Sequence, residues 1–285
     1  MDRVRLNQIA SKALRTRKKY LNVGPQYPIC PYALAESMGL DVRFVRISSF
    51  EGMYIANQGL ILISAERPEG RKRLTCAHEI GHNVLGHGTV IDEILECGSD
   101  KDQESDADFF ASVLLAPSSA LQATLNRYGK GAQEISEKDI YVLSKYFGIS
   151  YLALLTHMSV NLGLINRIRY IQYKKVSLPS IRQDIAGDCD AGQVFEIGNW
   201  WQEKAIELEV GDCIVSDASL QTDGPTCVVQ EPDAKPYIMR AANPGICRVF
   251  DSNGWSSFVK VSRQKFVGML QFRYEEEQDV ELDDS

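Results

Sequence analysis

"CAHEIGHNVLGH", residues 76–87, is the stretch on which the reading of the whole chain turns. It gathers three of the four histidines of a 285-residue sequence, His78, His82 and His87, and sets Glu79 beside the first. A helix turns by about 100° per residue, so residues four apart share a face. His78 and His82 are such a pair, and Leu74, Ala77, Gly81 and Leu85 fall on or beside the same stripe. That is the spacing of a buried helix face. Pro68 suits the first turn of this helix and Gly86 its C-terminal stop. Two neutral imidazoles pointing inward can hold one divalent ion at about 2.0–2.1 Å each. Glu79, one step round from His78, can sit beside a water at that ion without ligating it.

Two histidines at this spacing also arise by chance, and a buried histidine is often only hydrogen-bonded. A third ligand distinguishes the cases. The pattern HExxHxxGxxH requires Gly at 85 and His at 88; this chain has Leu85 and Gly88, so His87 is out of register. A second helix supplies the alternative. "DQESDADFFASVLLAP", residues 102–117, places Glu104, Asp108, Ala111 and Leu115 on one face, with acids in the first turn and Pro117 at the end. Glu104 can complete the ligand set. Asp108 can accept the spare N–H of a ligating histidine and hold its tautomer. The plainer reading, an acidic and solvated helix start, leaves unexplained why the following face turns apolar at once.

Several stretches together resemble the ImmA/IrrE metallopeptidases, from residue 27 to about residue 165. "YPICPYALAESMGLDVRFV" is similar to the family's entry helix and first strand, and "GMYIANQGLILISAERPEGRKRLTCAHEIGHNVLGH" to two strands leading into its metal helix. "ESDADFFASVLLAP" is similar to the segment E-x-x-A-N-x-F-A-x-x-L-L-x-P, with Asp108 where Asn is commoner and Ala116 where Met is commoner. "VLSKYFGISYLALLTHMSVNLGLI" continues the likeness. The resemblance implies a zincin-like, gluzincin-type peptidase using one Zn2+ or Mn2+ per chain. Its metal ligands would be His78, His82 and Glu104, and its base Glu79. His87 and Tyr54 are candidates for stabilising the oxyanion. The implied partner is a protein substrate, a helix-turn-helix repressor whose cleavage would induce a stress or mobile-element response.

Composition is that of an ordinary soluble domain, with 44% hydrophobic and 24% charged residues. No apolar run of signal-peptide length follows the basic N-terminus, and nowhere do 18 apolar residues run together. The expected compartment is the cytoplasm, with no membrane partner. Seven cysteines, an odd number without a CxxC pair, are expected as free thiols rather than as a zinc site. Charge is uneven: residues 1–175 carry a net +4 and residues 176–285 a net −11, with six acids in the last ten positions. That tail, 276–285, is expected to be disordered.

Residues 137–163 read as a helix, a turn at Gly148 and a second helix capped by Ser150, a helix-turn-helix outline. "YLALLTHMSV" has no Lys or Arg to read bases, so direct DNA binding is not expected and a packing or docking role is preferred. His157 reads as a helix-surface or core residue. Beyond residue 176, "CIVSD", "TCVVQE", "PYIMRAA", "CRVF", "SSFVKV" and "FVGMLQFRYE" read as strands, and Asn253–Gly254 as a hairpin turn.

The reading is therefore an α+β protein. Residues 1–117 form a zincin-like metallopeptidase domain, 118–175 a helical segment, and 176–275 a small β-rich barrel or sandwich that senses a signal or binds a partner. A chain ending near residue 175 is expected to fold alone. Two other classes stay open: a non-catalytic protein-binding or toxin–antitoxin component that keeps the fold, and a transcription regulator. An intact Glu79 opposes the first, and the missing basic residues oppose the second.

Overall fold

The computed structural model describes residues 2–87, 90–91, 101–187, 189, 191–201, 204–230 and 235–275, so the acidic tail and Cys97 lie outside the described residues. The chain begins with α1 (Arg3–Leu21), whose buried residues Ile9, Ala13, Thr16 and Arg17 recur at helical spacing. After α2 (Pro31–Ser37) come β1 (Asp41–Val45), β2 (Gly52–Ile55) and β3 (Leu60–Ser64). Inward residues alternate along them: Val42 and Phe44, Tyr54, Ile61 and Ile63. α3 (Glu69–Leu85) follows Pro68 and ends at Gly86, whose φ of 82° a side chain rarely adopts. A short β4 (Val90–Ile91) precedes α4 (Lys101–Leu115). α1 packs along α4, and fully buried Arg17 donates to the Leu114 carbonyl at 2.7 Å, satisfying one of the last acceptors of α4.

α5 (Ser118–Tyr128) leads to α6 (Glu137–Phe147), started by a Ser136/Asp139 capping box and stopped by Gly148 at φ 66°. α7 (Tyr151–Thr156) starts at Ser150, whose hydroxyl accepts from Ala153 N. His157 follows it and is core, not surface. Its Nε2 lies 2.9 Å from the Ala116 carbonyl, which ties the end of α7 to the end of α4, and its Nδ1 lies 2.9 Å from Asn161 Nδ2 one turn on, which fixes the ring.

The C-terminal region begins with two helices, α8 (Arg167–Tyr173) and α9 (Leu178–Ala186), capped by Asn166 and Ser177. Sequence patterning placed residues 178–186 in a β-rich region; a serine cap followed by proline within the first helical turn makes them helix instead. The strands are β5 (Val194–Glu196), β6 (Ile206–Glu209), β7 (Cys213–Ser216), β8 (Leu220–Thr222), β9 (Cys227–Gln230), β10 (Tyr237–Ala241), β11 (Gly245–Asp251), β12 (Ser256–Ser262) and β13 (Gly268–Met269). The first eight of these form two four-stranded sheets, ordered β5-β7-β10-β9 and β6-β12-β11-β8. The β11–β12 hairpin turns through Asn253–Gly254, with Phe250 opposite Ser256 and Asp251 Oδ1 accepting from Asn253 N and Trp255 N.

"FVGMLQFRYE" is not a long strand. Only Gly268–Met269 extend before a 3-10 turn at Leu270–Phe272. This β13 pairs with β1, so the N-terminal sheet runs β13-β1-β3-β2-β4, with β1 and β3 parallel and the other pairs antiparallel. Charged contacts reinforce the join. Lys72 of α3 pairs with Glu209 at 2.6 Å, Arg73 with Glu207 at 2.6 Å, and Arg273 with Glu69. One hydrophobic core runs through both regions, and Trp201 packs edge-on against Tyr146 of α6. A chain cut near residue 175 would lose the Glu207 and Glu209 partners of Arg73 and Lys72, while Lys72 would keep Glu69. Among the described residues no helix is long and apolar enough to cross a membrane.

Candidate metal centre

The buried face of α3 carries His78, Glu79 and His82, as the four-residue spacing requires. What brings α4 within reach is a close helix crossing. A Cβ added to Gly81 would lie 3.2 Å from Phe110 Cδ1 and 3.3 Å from Ala107 Cα. A side chain at position 81 would press on both neighbours, so glycine suits this close approach, which sets Glu104 over the histidines.

Three donors then converge. His78 Nε2 is 2.9 Å from His82 Nε2 and 3.1 Å from Glu104 Oε2, and His82 Nε2 is 3.5 Å from Glu104 Oε1. A tetrahedral ion with bonds of about 2.0–2.1 Å separates its ligands by about 3.3 Å. The triangle is therefore of the right size for one small divalent cation, and two nitrogens with one carboxylate oxygen are a set that such ions accept.

The outer ring nitrogens are also engaged. His78 Nδ1 lies 2.9 Å from Asp108 Oδ1, so its N–H can donate there and leave Nε2 facing the cluster. His82 Nδ1 lies 3.0 Å from His87 Nδ1. His87 reaches it because left-handed Gly86 folds the chain back over the last turn of α3, with His87 N donating to the His82 carbonyl. This contact was not foreseen from the out-of-register spacing of His87; the glycine just before it was the available signal.

The electrostatics favour one positive charge at the cluster. Burial pulls His78 down, but hydrogen bonds to Asp108 and Glu104 and the Glu79 charge outweigh it and raise its pKa to about 10. Burial and the neighbouring His78 charge push His82 down to about 4. Glu104 is lowered by its hydrogen bond to His78, and His87 is lowered by burial. Two imidazoles this close do not both take a proton.

Glu79 is fully buried between α3 and β2. A Cβ at Gly52 would meet Thr75 Cγ2 at 2.3 Å and Glu79 Oε1 at 3.0 Å, so only hydrogen fits at Gly52. Tyr54, also on β2, is buried and its hydroxyl accepts from the Asn83 amide, one helical turn beyond Glu79. The structure thus brings His78, His82, Glu104, Asp108 and His87 into one chain of contacts. It sets Glu79 and Tyr54 on the β2 side of α3, with Tyr54 outside that chain. Sequence reasoning missed Gly52 and Gly81, because the need for a missing side chain depends on what lies opposite.

Comparison with known proteins gives two matches. Residues 35–159 match the IrrE N-terminal-like domain. The chain is similar to the radiation response metalloprotease IrrE of Deinococcus radiodurans, 32% identical over 105 residues that cover 35% of this chain and 32% of that protein. The matched stretch spans about a third of the relative's length. Both helices of the cluster lie inside the stretch, residues 35–159, that matches the IrrE N-terminal-like domain.

Proposed function

We propose that the chain is a metal-dependent endopeptidase in which His78, His82 and Glu104 hold one Zn2+ or Mn2+ and Glu79 is the general base. The observation that carries this reading is the convergence of the three ligand atoms, from two helices, within 4.8 Å of one another. When bound, the ion supplies Lewis acidity to a water and to the scissile carbonyl. The protein's residues do the rest. Glu79 takes the proton of the attacking water and returns it to the leaving amine as the C–N bond breaks. Asp108 and His87 hold His78 and His82 through their outer nitrogens, so the inner lone pairs stay aimed at one point. Tyr54 is the hydroxyl proposed to donate to the oxyanion.

In this reading the α3–α4 region is the zincin-like unit of the protein. The α6–α7 pair, a helix-turn-helix in outline, docks the substrate rather than DNA, because the α7 sequence Tyr151–Thr156 carries no cation. The substrate class is a helix-turn-helix repressor in the cytoplasm, whose cleavage would release a stress or mobile-element response; the name of the Deinococcus relative fits such a role. The region beyond residue 175 serves regulation or partner choice.

The test is co-expression with a helix-turn-helix repressor encoded near the gene. The wild type should shorten it. Glu79→Gln keeps side-chain volume but accepts no proton from water, and should cut the rate by about 100- to 10,000-fold while keeping its metal. Glu104→Gln should weaken metal binding instead. Cleavage by Glu79→Gln at the wild-type rate sinks the mechanism.

A further inference from the structure

Away from the metal cluster, a cavity of about 200 Å³ lies where α3, the α6–α7 turn and α9 meet the C-terminal sheets. At about 30 Å³ per water that is room for about seven waters. Its apolar lining is Tyr141, Tyr151, Phe195 and Trp201. Cations stand among these rings, Lys145 Nζ 4.7 Å from the centre of Tyr141, and their charges are incompletely answered. Lys145 Nζ donates to the neutral Gln193 Oε1 at 2.6 Å, and Lys204 Nζ to the Tyr146 carbonyl. Among the described residues neither ammonium has a carboxylate at ion-pair distance. Arg73 gives one nitrogen to Glu207, but its Nε and Nη2 are buried without a hydrogen-bond partner. The acids here are already committed: Glu69 to Arg273 and Lys72, Glu207 to Arg73, and Asp212 to the backbone N–H groups of Gln193 and Glu209.

A buried donor without a partner is costly, as is an ammonium held away from water, and a bound anion relieves both. Burial draws Lys145 down to about 8 and Lys204 to about 7, which marks how poorly solvated these ammoniums are. Inorganic anions would leave the aromatic walls uncovered, and neutral apolar molecules would leave the cations unanswered. We propose that the cavity binds a small organic anion, a planar or apolar body carrying a carboxylate or phosphate group. The first turns of α3 line it, so its occupant touches the helix that carries His78 and His82.

Calorimetric titration of the full-length chain with benzoate, phenyl phosphate and neutral benzamide tests this. At least one of the two anions should bind saturably in the millimolar range or tighter, and which one does so tells carboxylate from phosphate. Benzamide should bind at least about tenfold more weakly, since charge-assisted hydrogen bonds are at stake. Lys145→Met should weaken the anion by about tenfold or more, and Ala205→Leu should exclude it by filling the cavity. Unchanged thermal unfolding of Lys145→Met validates its use; if that variant unfolds, Ala205→Leu decides alone. Equal binding of benzamide, undiminished binding by a folded variant, or no binding of either anion at millimolar concentration overturns the proposal.

Discussion

Replacing Glu207 by Gln removes one charge from the contact that joins the metal helix to the C-terminal sheets. Arg73 and Glu207 meet at 2.6 Å, with only 2% and 10% of their side chains exposed. Burial alone would push Glu207 up, yet Arg73, Lys204 and Arg273 hold its pKa below the usual value; Arg73 is raised in turn, chiefly by Glu207. Removing one partner of such a pair costs about 3–5 kcal/mol, because the remaining charge stays buried. Gln still offers one acceptor oxygen, so the lower end, about 3 kcal/mol, applies. At about 2–4 °C per kcal/mol for a chain of this class, the midpoint of thermal unfolding should fall by about 6–12 °C. Urea unfolding followed by both circular dichroism and tryptophan fluorescence measures the loss. Coincident transitions would show the two regions unfolding together. Arg73→Met with Glu207→Leu should recover most of the stability, since no uncompensated charge remains. A cost under about 1 kcal/mol for Glu207→Gln, or a chain ending at residue 175 with undiminished stability, would refute the reasoning.

Three further outcomes are expected. Burial lowers the folded pKa of His157 from 6.5 to about 4, so as pH falls the unfolded chain takes up the proton first. Its contribution, up to about 3 kcal/mol, is complete above pH 6.5 and is lost between 6.5 and about 4; urea midpoints at two pH values should separate the wild type from His157→Gln, and equal slopes would count against this. His82→Ala should abolish stoichiometric metal while the wild type keeps one ion per chain; elemental analysis showing no transition metal in reloaded wild type would contradict the site. Gly81→Leu should force α3 and α4 apart and weaken metal binding by at least about tenfold, with Gly81→Ala milder because its Cβ meets its neighbours at 3.2–3.4 Å; unchanged affinity in Gly81→Leu would show that the close crossing does not position Glu104.

The features legible from sequence are those decided within a few residues. The four-residue spacing of His78 and His82, the stop at Gly86, the Ser150 cap and the turn at Asn253–Gly254 all express backbone geometry that a short peptide already contains. For the same reason Glu104 and Asp108 could be assigned to one helix face. Where a local rule competed with another, the reading slipped. Residues 178–186 lie among β-rich segments yet carry a serine cap and an early proline, and residues 266–275 are apolar enough for a strand but bend after Met269.

Tertiary structure alone decided which faces meet. The sequence determined that α3 and α4 would each present ligands, but the reach of Glu104 depends on how closely Gly81 lets Ala107 approach. It determined an excess of acid after residue 176, but not that Glu207 and Glu209 would answer Arg73 and Lys72 instead of facing water. It held no sign that two residues, Gly268 and Met269, would close the N-terminal sheet against β1. Helix caps and spacings act over one or two turns of chain, whereas packing, ion pairing and sheet edges join residues whose separation in sequence carries no information about their distance in space.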